Sequence, residues 1–352
     1  MENRLAEDLD HILDHTRDLW DELRGQRLFI TGGTGFFGCW LLESFIWAND
    51  RLNLDCHATV VTRSPEAFKA KAHHLAEYKA VSLIEGDIQS FRYPSGTFSH
   101  IIHAATETNT KFSPVEPGEL FLANIKGTKR MLEFADKCDA RKFLFTSSGA
   151  VYGIQQPGIS HIPEDYSGAP DTIDPSTAYG QSKRASEFLC ATLASAELET
   201  KIARCFAFVG PFLPLDAEYA IGNFIRDGLL GKSIQVKGDG TPYRSYLYAA
   251  DLAIWLWTIL FRGRSSRPYN VGSGDYLSIF ELAQMVKELV APEVRVMVVG
   301  KPIAGKSPER YVPSIERCTT ELGLQVRIPL SEAIRRTANW YIPLISNDLK
   351  GA

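Results

Sequence analysis

The chain has 352 residues, 45% of them hydrophobic and 23% charged, with a formal net charge of −4 and a pI near 6.1. This length suggests two domains, or one domain with a large added lobe, and the composition is that of an ordinary soluble globular protein. The mildly acidic balance argues against a nucleic-acid backbone or an anionic membrane surface as partner.

Neither membrane segments nor metal sites are expected. The longest apolar run, DLAIWLWTILFRG, is shorter than the ~18–20 residues that span a bilayer. The N-terminus lacks the apolar core of a secretory signal, so we expect a cytoplasmic protein. Without a CxxC or Cys/His cluster, the cysteines are expected to be reduced, mostly buried and not metal-bound. They are Cys39, Cys56, Cys138, Cys190, Cys205 and Cys318.

The first 25 residues predict an acidic amphipathic helix over 3–24, ended by Gly25. Its apolar stripe consists of Leu5, Leu9, Ile12, Leu19 or Trp20, and Leu23. We expect this helix to pack on the domain surface; a contact with another subunit is the alternative.

Short β-branched runs then alternate with helical stretches. The first strand is predicted at Leu28–Thr31, and further strands are predicted at 58–63, 82–87, 100–105, 142–148 and 201–211. A helix is predicted at 118–138. Strands that alternate with helices indicate βαβ units and a parallel sheet.

After about Pro211 this alternation loosens, and proline and glycine interrupt the pattern. RPYNVGSG predicts a strand that returns to the sheet. The fold class is therefore α/β, a Rossmann-type doubly wound parallel sheet with a smaller C-terminal substrate lobe. We expect an N-terminal helix at 1–25 and a dinucleotide-binding domain at 26–210, completed by about 246–290. The substrate lobe then takes 211–245 and 291–352.

The segment TGGTGFFG joins the first strand to a helix and places Gly32, Gly35 and Gly38 in a GxxGxxG pattern. Such glycines allow a tight turn, close approach to a pyrophosphate, and close packing of helix on strand. The N-terminus of the helix favours the anionic group. We therefore predict that this turn binds a dinucleotide, with Thr34, Phe36 and Phe37 among the contacts.

The end of the second strand indicates which dinucleotide is bound. An acidic residue there would bind the ribose 2′-hydroxyl of NAD, but the chain has Thr62, Arg63 and Ser64. Arg63 can accommodate a 2′-phosphate, so NADP is favoured over NAD; alternatively, Arg63 stacks on adenine or faces solvent. Asp87 follows the third strand and can receive the adenine amino group, or be a plain turn residue.

Polar residues with possible catalytic roles follow. Ser147 and Ser148 end the fifth predicted strand, on the side of such a sheet where ligands bind. Tyr179 and Lys183 are four residues apart in AYGQSK and therefore share one face of a helix. The pair is either an ordinary surface contact or an acid–base pair.

Together these motifs resemble the extended short-chain dehydrogenase/reductase family, in its sugar-nucleotide branch. The resemblance runs from about Arg27 to the end and includes TGGTGFFG, HAATE, SSGAVYG, YxxxK, GDGTPYRSYLYAADLA and YNVGSG. It implies that Tyr179 exchanges a proton with a sugar hydroxyl. Lys183 would favour the phenolate and hold the nicotinamide ribose, and Ser148 would donate a hydrogen bond to the reacting oxygen.

The resemblance also implies binding residues. Further cofactor contacts would be Ile88, Ala104, Ala105, Thr108 and Asn124. Arg244 would grip the pyrophosphate of a nucleotide sugar, with Arg310 as a second clamp and Asn223 in a loop over the nucleotide. The family pairs through two helices, here around 120–137 and 179–195, so a homodimer is expected.

Two positions depart from part of the family. Dehydratases carry Asp-Glu after the catalytic Ser or Thr, and decarboxylases keep the Glu, but this chain has Gly149 and Ala150. Glu107 could substitute, although it is expected beside the cofactor phosphates. We therefore favour a C4 epimerase or 4-ketoreductase of an NDP-hexose. The alternatives are a 4,6-dehydratase or decarboxylase with a substitute acid, and a non-catalytic dinucleotide-binding regulatory subunit.

Overall fold

The computed structural model describes residues 3–108, 115–302, 305 and 307–351. Fourteen strands occur in this part of the chain. They are β1 Arg27–Thr31, β2 His57–Thr62, β3 Val81–Glu85, β4 His100–His103, β5 Lys142–Ser148, β6 Glu199–Cys205, β7 Phe208–Val209, β8 Ile234–Val236, β9 Tyr243–Ser245, β10 Leu247–Tyr248, β11 Pro268–Val271, β12 Tyr276–Ser278, β13 Val296–Val298 and β14 Arg310–Tyr311.

Eleven α-helices lie within the same described residues. They are α1 Ala6–Thr16, α2 Phe36–Leu52, α3 Pro65–Lys71, α4 His73–Ala76, α5 Pro117–Lys137, α6 Ala178–Leu193, α7 Ala220–Leu229, α8 Ala249–Arg262, α9 Ile279–Val290, α10 Glu316–Leu322 and α11 Leu330–Gly351. Short 3₁₀ helices span Arg17–Leu23, Gly149–Tyr152 and Pro175–Thr177.

Seven strands form one parallel sheet in the order β3-β2-β1-β4-β5-β6-β11. The strand order reverses between β1 and β4, which opens a crevice at the carboxyl ends of these two strands. Helices cover the sheet, as the buried, β-branched strands require. The predicted fold class is confirmed.

The strand predicted in RPYNVGSG is β11, which pairs with β6 at the edge of the large sheet. The segments around it build three small sheets: β12-β9-β14, β13-β8 and β10-β7. Their strands have only two or three residues, too few for a legible alternation of apolar and polar positions. We propose that the boundaries predicted from the sequence hold in the folded protein: a dinucleotide-binding domain at 26–210, completed by about 246–290, and a substrate lobe at 211–245 and 291–352.

The apolar run DLAIWLWTILFRG lies in α8, whose residues from Ala249 to Phe261 are all buried. A helix that is apolar on every side belongs in the interior of a large fold. Across the described residues, none of the helices combines the length and the apolarity that crossing a membrane requires. The six cysteines are all buried and unpaired, as expected.

The N-terminal segment lies deeper than a surface helix. Leu9, Ile12 and Trp20 are buried in the main hydrophobic core, and the Trp20 ring lies 4.6 Å from that of Trp257 on α8. The Asp8 carboxylate accepts hydrogen bonds from the Tyr248 hydroxyl at 2.6 Å and from Arg336 on α11 at 2.5 Å. The segment therefore joins the two ends of the chain, because its buried carboxylate has partners on both β10 and α11.

Candidate active site

A cavity of about 1050 Å³ opens at the carboxyl ends of the central strands and extends to the small sheets of the C-terminal lobe. This volume is at the upper end of the range for small-molecule sites. Most of the predicted cofactor residues line it. They are Gly32, Thr34, Gly35, Phe36, Phe37, Arg63, Asp87, Ile88, Ala104, Ala105, Thr108 and Asn124.

The glycine turn forms a cradle that larger residues would fill. Gly32 has φ +71°, and a Cβ built there would lie 2.5 Å from the carbonyl carbon of Ala104. Gly38 does not line the cavity; its Cβ would lie 2.3 Å from the carbonyl oxygen of Gly32. Gly32 thus keeps the turn open, and Gly38 lets α2 pack against it. A dinucleotide pyrophosphate fits this cradle, because α2 begins at Phe36 directly above the turn.

Basic residues surround the end of β2. The Arg63 guanidinium lies 3.3 Å from the Glu107 carboxylate, and Lys71 donates to the carbonyl oxygen of Thr34 at 2.8 Å. The prediction missed Lys71, which lines the cavity. The signal was present in the sequence, since Lys71 ends the short helix that Ser64 caps.

Asn124 was predicted to contact the cofactor, but its amide holds the loop after β4. Its oxygen accepts from the backbone of Glu107 at 2.7 Å and from Thr106 at 3.1 Å. Its nitrogen donates to the carbonyl oxygen of Glu107 at 3.0 Å and to the Ser182 hydroxyl at 3.1 Å. Asn124 therefore fixes the position of Glu107 and links this loop to α6.

Ser148, Tyr179 and Lys183 meet in the cavity, although they come from different elements. Ser148 ends β5, while Tyr179 and Lys183 lie one turn apart on α6. The Lys183 ammonium donates to the carbonyl oxygen of Thr146 at 2.8 Å and lies 5.7 Å from the centre of the Tyr179 ring. The predicted acid–base pair therefore faces the same space as the serine.

The electrostatics of this group are dominated by burial. Burial raises the pKa of the Tyr179 phenol above its ordinary value, and a hydrogen bond to Ser148 opposes this shift. Burial also lowers the pKa of the Lys183 ammonium to about 8. Tyr179 is therefore a neutral phenol that can donate a proton, beside an ammonium with a pKa of about 8.

Ser147, predicted as a second catalytic serine, also lines the cavity, and its hydroxyl donates to Glu187 on α6 at 2.5 Å. Successive residues of a strand point to opposite faces, so Ser147 and Ser148 cannot both direct their hydroxyls at one point. Glu187 is itself held by Arg204, at distances of 2.7–3.2 Å. Ser147 thus belongs to a buried polar network under α6.

Of the three predicted substrate residues, only Arg244 lines the cavity. Tyr311 pairs with Arg244, and Arg310 pairs with Tyr243, across β14 and β9. Because side chains alternate along a strand, Arg244 and Tyr311 share the cavity face, while Arg310 is directed away from it. The Arg310 guanidinium stacks 4.4 Å from the ring centre of Tyr243.

Asn223, predicted to lie over the nucleotide, does not line the cavity. It lies in the first turn of α7, and its amide donates to the carbonyl oxygens of Ala217 at 2.8 Å and Tyr219 at 3.0 Å. It therefore shapes the loop before α7, from which Tyr219 and Glu218 line the cavity.

Tyr311 is a further cavity residue that the sequence did not reveal. Its hydroxyl oxygen lies 3.4 Å from the Ser148 hydroxyl oxygen, and burial raises the pKa of this phenol to about 12. A Cβ at Gly149 would lie 2.7 Å from that hydroxyl and 2.8 Å from the Phe206 ring. Tyr311 and Phe206 thus fill the space that a side chain at Gly149 would need.

The comparisons with known proteins agree with this site. The model of the family described as "NAD dependent epimerase/dehydratase family" matches residues 28–272. The chain belongs to this family. It is an NAD(P)-dependent enzyme of the short-chain dehydrogenase/reductase type, as the motifs indicated, and the regulatory-subunit alternative is set aside.

Individual relatives differ in activity. UDP-glucuronic acid decarboxylase 1 of Danio rerio is 30% identical over 319 residues, which are 90% of this chain and 72% of the relative. An epimerase of Methanothermobacter thermautotrophicus is 21% identical with a TM-score of 0.77, covering 97% of this chain and 99% of that chain. UDP-glucuronic acid 4-epimerase of Bacillus cereus, solved with UDP-glucuronic acid and NAD, is 20% identical with a TM-score of 0.75, covering 90% and 99%. The two structural likenesses establish the fold.

Proposed function

We propose that this enzyme carries out redox chemistry at C4 of an NDP-hexose, as a 4-epimerase or a 4-ketoreductase. The observation that carries the proposal is the meeting of Tyr179, Lys183 and Ser148 in one cavity with the glycine turn. A bound nicotinamide would take or give the hydride at C4. The chain supplies the proton and holds the oxygen.

In the reductive direction, the neutral Tyr179 phenol donates its proton to the 4-keto oxygen as that oxygen gains negative charge. Ser148 donates a hydrogen bond to the same oxygen and stabilises the charge that develops on it. The Lys183 ammonium lies near the phenol and favours the phenolate left behind. In the oxidative direction, the phenolate accepts the proton of the C4 hydroxyl.

The surroundings of Ser148 favour this chemistry over elimination of water. Elimination needs an acid and a base beside the catalytic hydroxyl, and neither Gly149 nor Ala150 can carry a proton. Tyr311 and Phe206 leave too little room for a carboxylate at position 149. Glu107 is paired with Arg63 at the cofactor end of the cavity, which argues against its acting on the sugar.

Decarboxylation of a UDP-glucuronic acid is the second candidate, favoured by the relative that is 30% identical over 90% of this chain. Oxidation at C4 of a uronic acid gives a β-keto acid, which loses carbon dioxide readily. Tyr179, Lys183 and Ser148 would serve that oxidation unchanged. Ala150, which stands where decarboxylases keep a Glu, argues against this candidate.

NADP is proposed as the preferred cofactor over NAD. Arg63 follows β2 directly, and Lys71 lies beside the glycine turn, so two cations are available to a 2′-phosphate. The position of an acidic ribose ligand is taken by Thr62. Arg244 is proposed to bind the pyrophosphate of the nucleotide sugar, because it lines the same cavity as the glycine turn and a guanidinium suits phosphate.

A cytoplasmic homodimer that pairs through α5 and α6 is proposed as the working form. Leu122 is 50% exposed on α5, and Phe188 and Leu193 are 68% and 46% exposed on α6. Exposed apolar side chains on adjacent helices favour association. Light scattering should give twice the chain mass for the wild type and the chain mass for Phe188→Asp; a monomeric wild type would contradict this.

Incubation with nucleotide sugars tests the reaction class. A reductase should consume NADPH in equal amount with a 4-keto-6-deoxy sugar nucleotide, and an epimerase should interconvert C4 epimers without added cofactor. Release of carbon dioxide from UDP-glucuronic acid would favour the second candidate. Release of water from an NDP-hexose, or turnover that survives Tyr179→Phe, would contradict the proposal.

A further inference from the structure

An ion pair crosses the adenosine end of the cavity. Arg63 directly follows β2, Glu107 follows β4 by four residues, and their charged groups lie 3.3 Å apart. In the sheet, β1 lies between β2 and β4. The pair therefore bridges the two strands on either side of the glycine turn, which follows β1.

The backbone of Glu107 is fixed by hydrogen bonds, whereas the side chain of Arg63 is largely exposed. The Asn124 side chain accepts two hydrogen bonds from this loop, from the Glu107 N–H and the Thr106 hydroxyl, and donates one to the carbonyl oxygen of Glu107. The Glu107 side chain is 29% exposed. The Arg63 side chain is 71% exposed. A ligand that attracts the guanidinium can therefore draw it away from the carboxylate at small cost, because exposed ion pairs are weak.

We propose that Glu107 determines the balance between NADP and NAD by competing with the 2′-phosphate for Arg63. This inference rests on the proposed role of Arg63 in cofactor binding. The carboxylate both restrains the guanidinium and repels a dianionic phosphate. Both effects weaken binding of NADP more than binding of NAD, because NAD lacks the 2′-phosphate.

Lys71 completes this arrangement from the other side of the turn. Its ammonium is tied to the carbonyl oxygen of Thr34, which is a neutral partner, and so its charge remains available to an anion. Arg63, in contrast, is paired with the negative charge of Glu107. Removal of the carboxylate leaves two uncompensated cations at the adenosine end.

The test is isothermal titration of the full-length protein, freed of nucleotide, with NADP⁺ and NAD⁺. Glu107→Gln should lower the Kd for NADP⁺ by about twofold to fivefold, the range for one exposed ion pair. The Kd for NAD⁺ should change less, and added salt should shrink the difference. Glu66→Gln is the matched control: it removes the same charge nearby, but Glu66 pairs with Lys69 at 3.4 Å.

In an Arg63→Ala background, Glu107→Gln should change the Kd for NADP⁺ less than in the wild type, because the competition is gone. Weaker NADP⁺ binding by Glu107→Gln, an unchanged ratio of the two Kd values, or an equal shift by Glu66→Gln would overturn the role of Glu107. Tighter binding of NAD⁺ than NADP⁺ by the wild type would instead contradict the proposed cofactor preference, while the shift in ratio still decides the role of Glu107.

Discussion

The cofactor half and the substrate lobe are built from different kinds of sequence information. In the cofactor half, Gly32 and Gly38 meet within one turn, and most successive strands lie side by side. In the substrate lobe, strands of two and three residues bring Tyr311 to Ser148 from 163 positions away. The cradle for the cofactor is therefore formed by residues close together in the sequence, whereas the surface facing the sugar depends on strand pairing between residues far apart in the sequence.

The largest expected effect is a loss of stability and of cofactor binding caused by a substitution in the cofactor half. Gly32→Ala places a Cβ against the backbone of Ala104 at positive φ, so we expect a loss of at least ~3 kcal/mol in the free energy of unfolding. Cofactor binding should be lost as well. Urea denaturation and cofactor titration measure both effects.

The matched change in the lobe is Gly238→Ala, where an added Cβ has no neighbour within 4 Å and φ is not positive. We expect a change within about 0.5 kcal/mol in the free energy of unfolding. Equal destabilisation by the two substitutions would contradict the contrast drawn here.

The next effect belongs to the substrate lobe. Tyr311→Phe removes the hydroxyl beside Ser148 and keeps the ring on Phe206, so kcat should fall about tenfold, as for one lost hydrogen bond. The Kd for NADP⁺ should not change. Steady-state kinetics and titration separate the two quantities.

Tyr243→Phe is the control for Tyr311→Phe, because Tyr243 faces away from the cavity on the same small sheet. Its kcat should stay near that of the wild type. If both variants lose the same activity, Tyr311 acts through the stability of the lobe, and its hydroxyl has no part in the reaction.

The same contrast explains which features the sequence could predict. The strands β1 to β6 and the glycine turn follow from apolar runs and turn residues. Helical spacing places Tyr179 and Lys183 on one face, and the resemblance to the family supplies their expected roles. The positions of Arg310 and Tyr311 depend on the register of β14 against β9. The position of Asn223 depends on the loop before α7, whose carbonyl oxygens accept hydrogen bonds from its amide. Register in such short strands is set by tertiary contacts, which leave little trace in local sequence.

A smaller expected effect is the pH dependence of the catalytic group formed by Ser148, Tyr179 and Lys183. Burial lowers the pKa of Lys183 to about 8. The side chain therefore carries its positive charge below that pH and loses it as the pH rises through the pKa. The rate of 4-keto reduction should therefore be nearly level about one pH unit or more below this pKa and fall as the pH rises through it, because Tyr179 loses its charged neighbour. The profile of kcat against pH measures this.

Lys183→Arg keeps a positive charge over the whole range, because an arginine is always protonated. Any residual activity of this variant should show its fall at higher pH than in the wild type. If kcat of this variant falls at the same pH as in the wild type, the pH dependence reports a group other than Lys183.

The most direct test of the account follows the hydrogen at C4. With a nucleotide sugar deuterated at C4, mass spectrometry should find deuterium in the cofactor of the wild type. Tyr179→Phe, shown by titration to bind cofactor normally, should transfer it about 10² to 10⁴ times more slowly. Transfer at the wild-type rate by this variant, or no deuterium in the cofactor of the wild type, would contradict the central claim that Tyr179 exchanges the proton at C4.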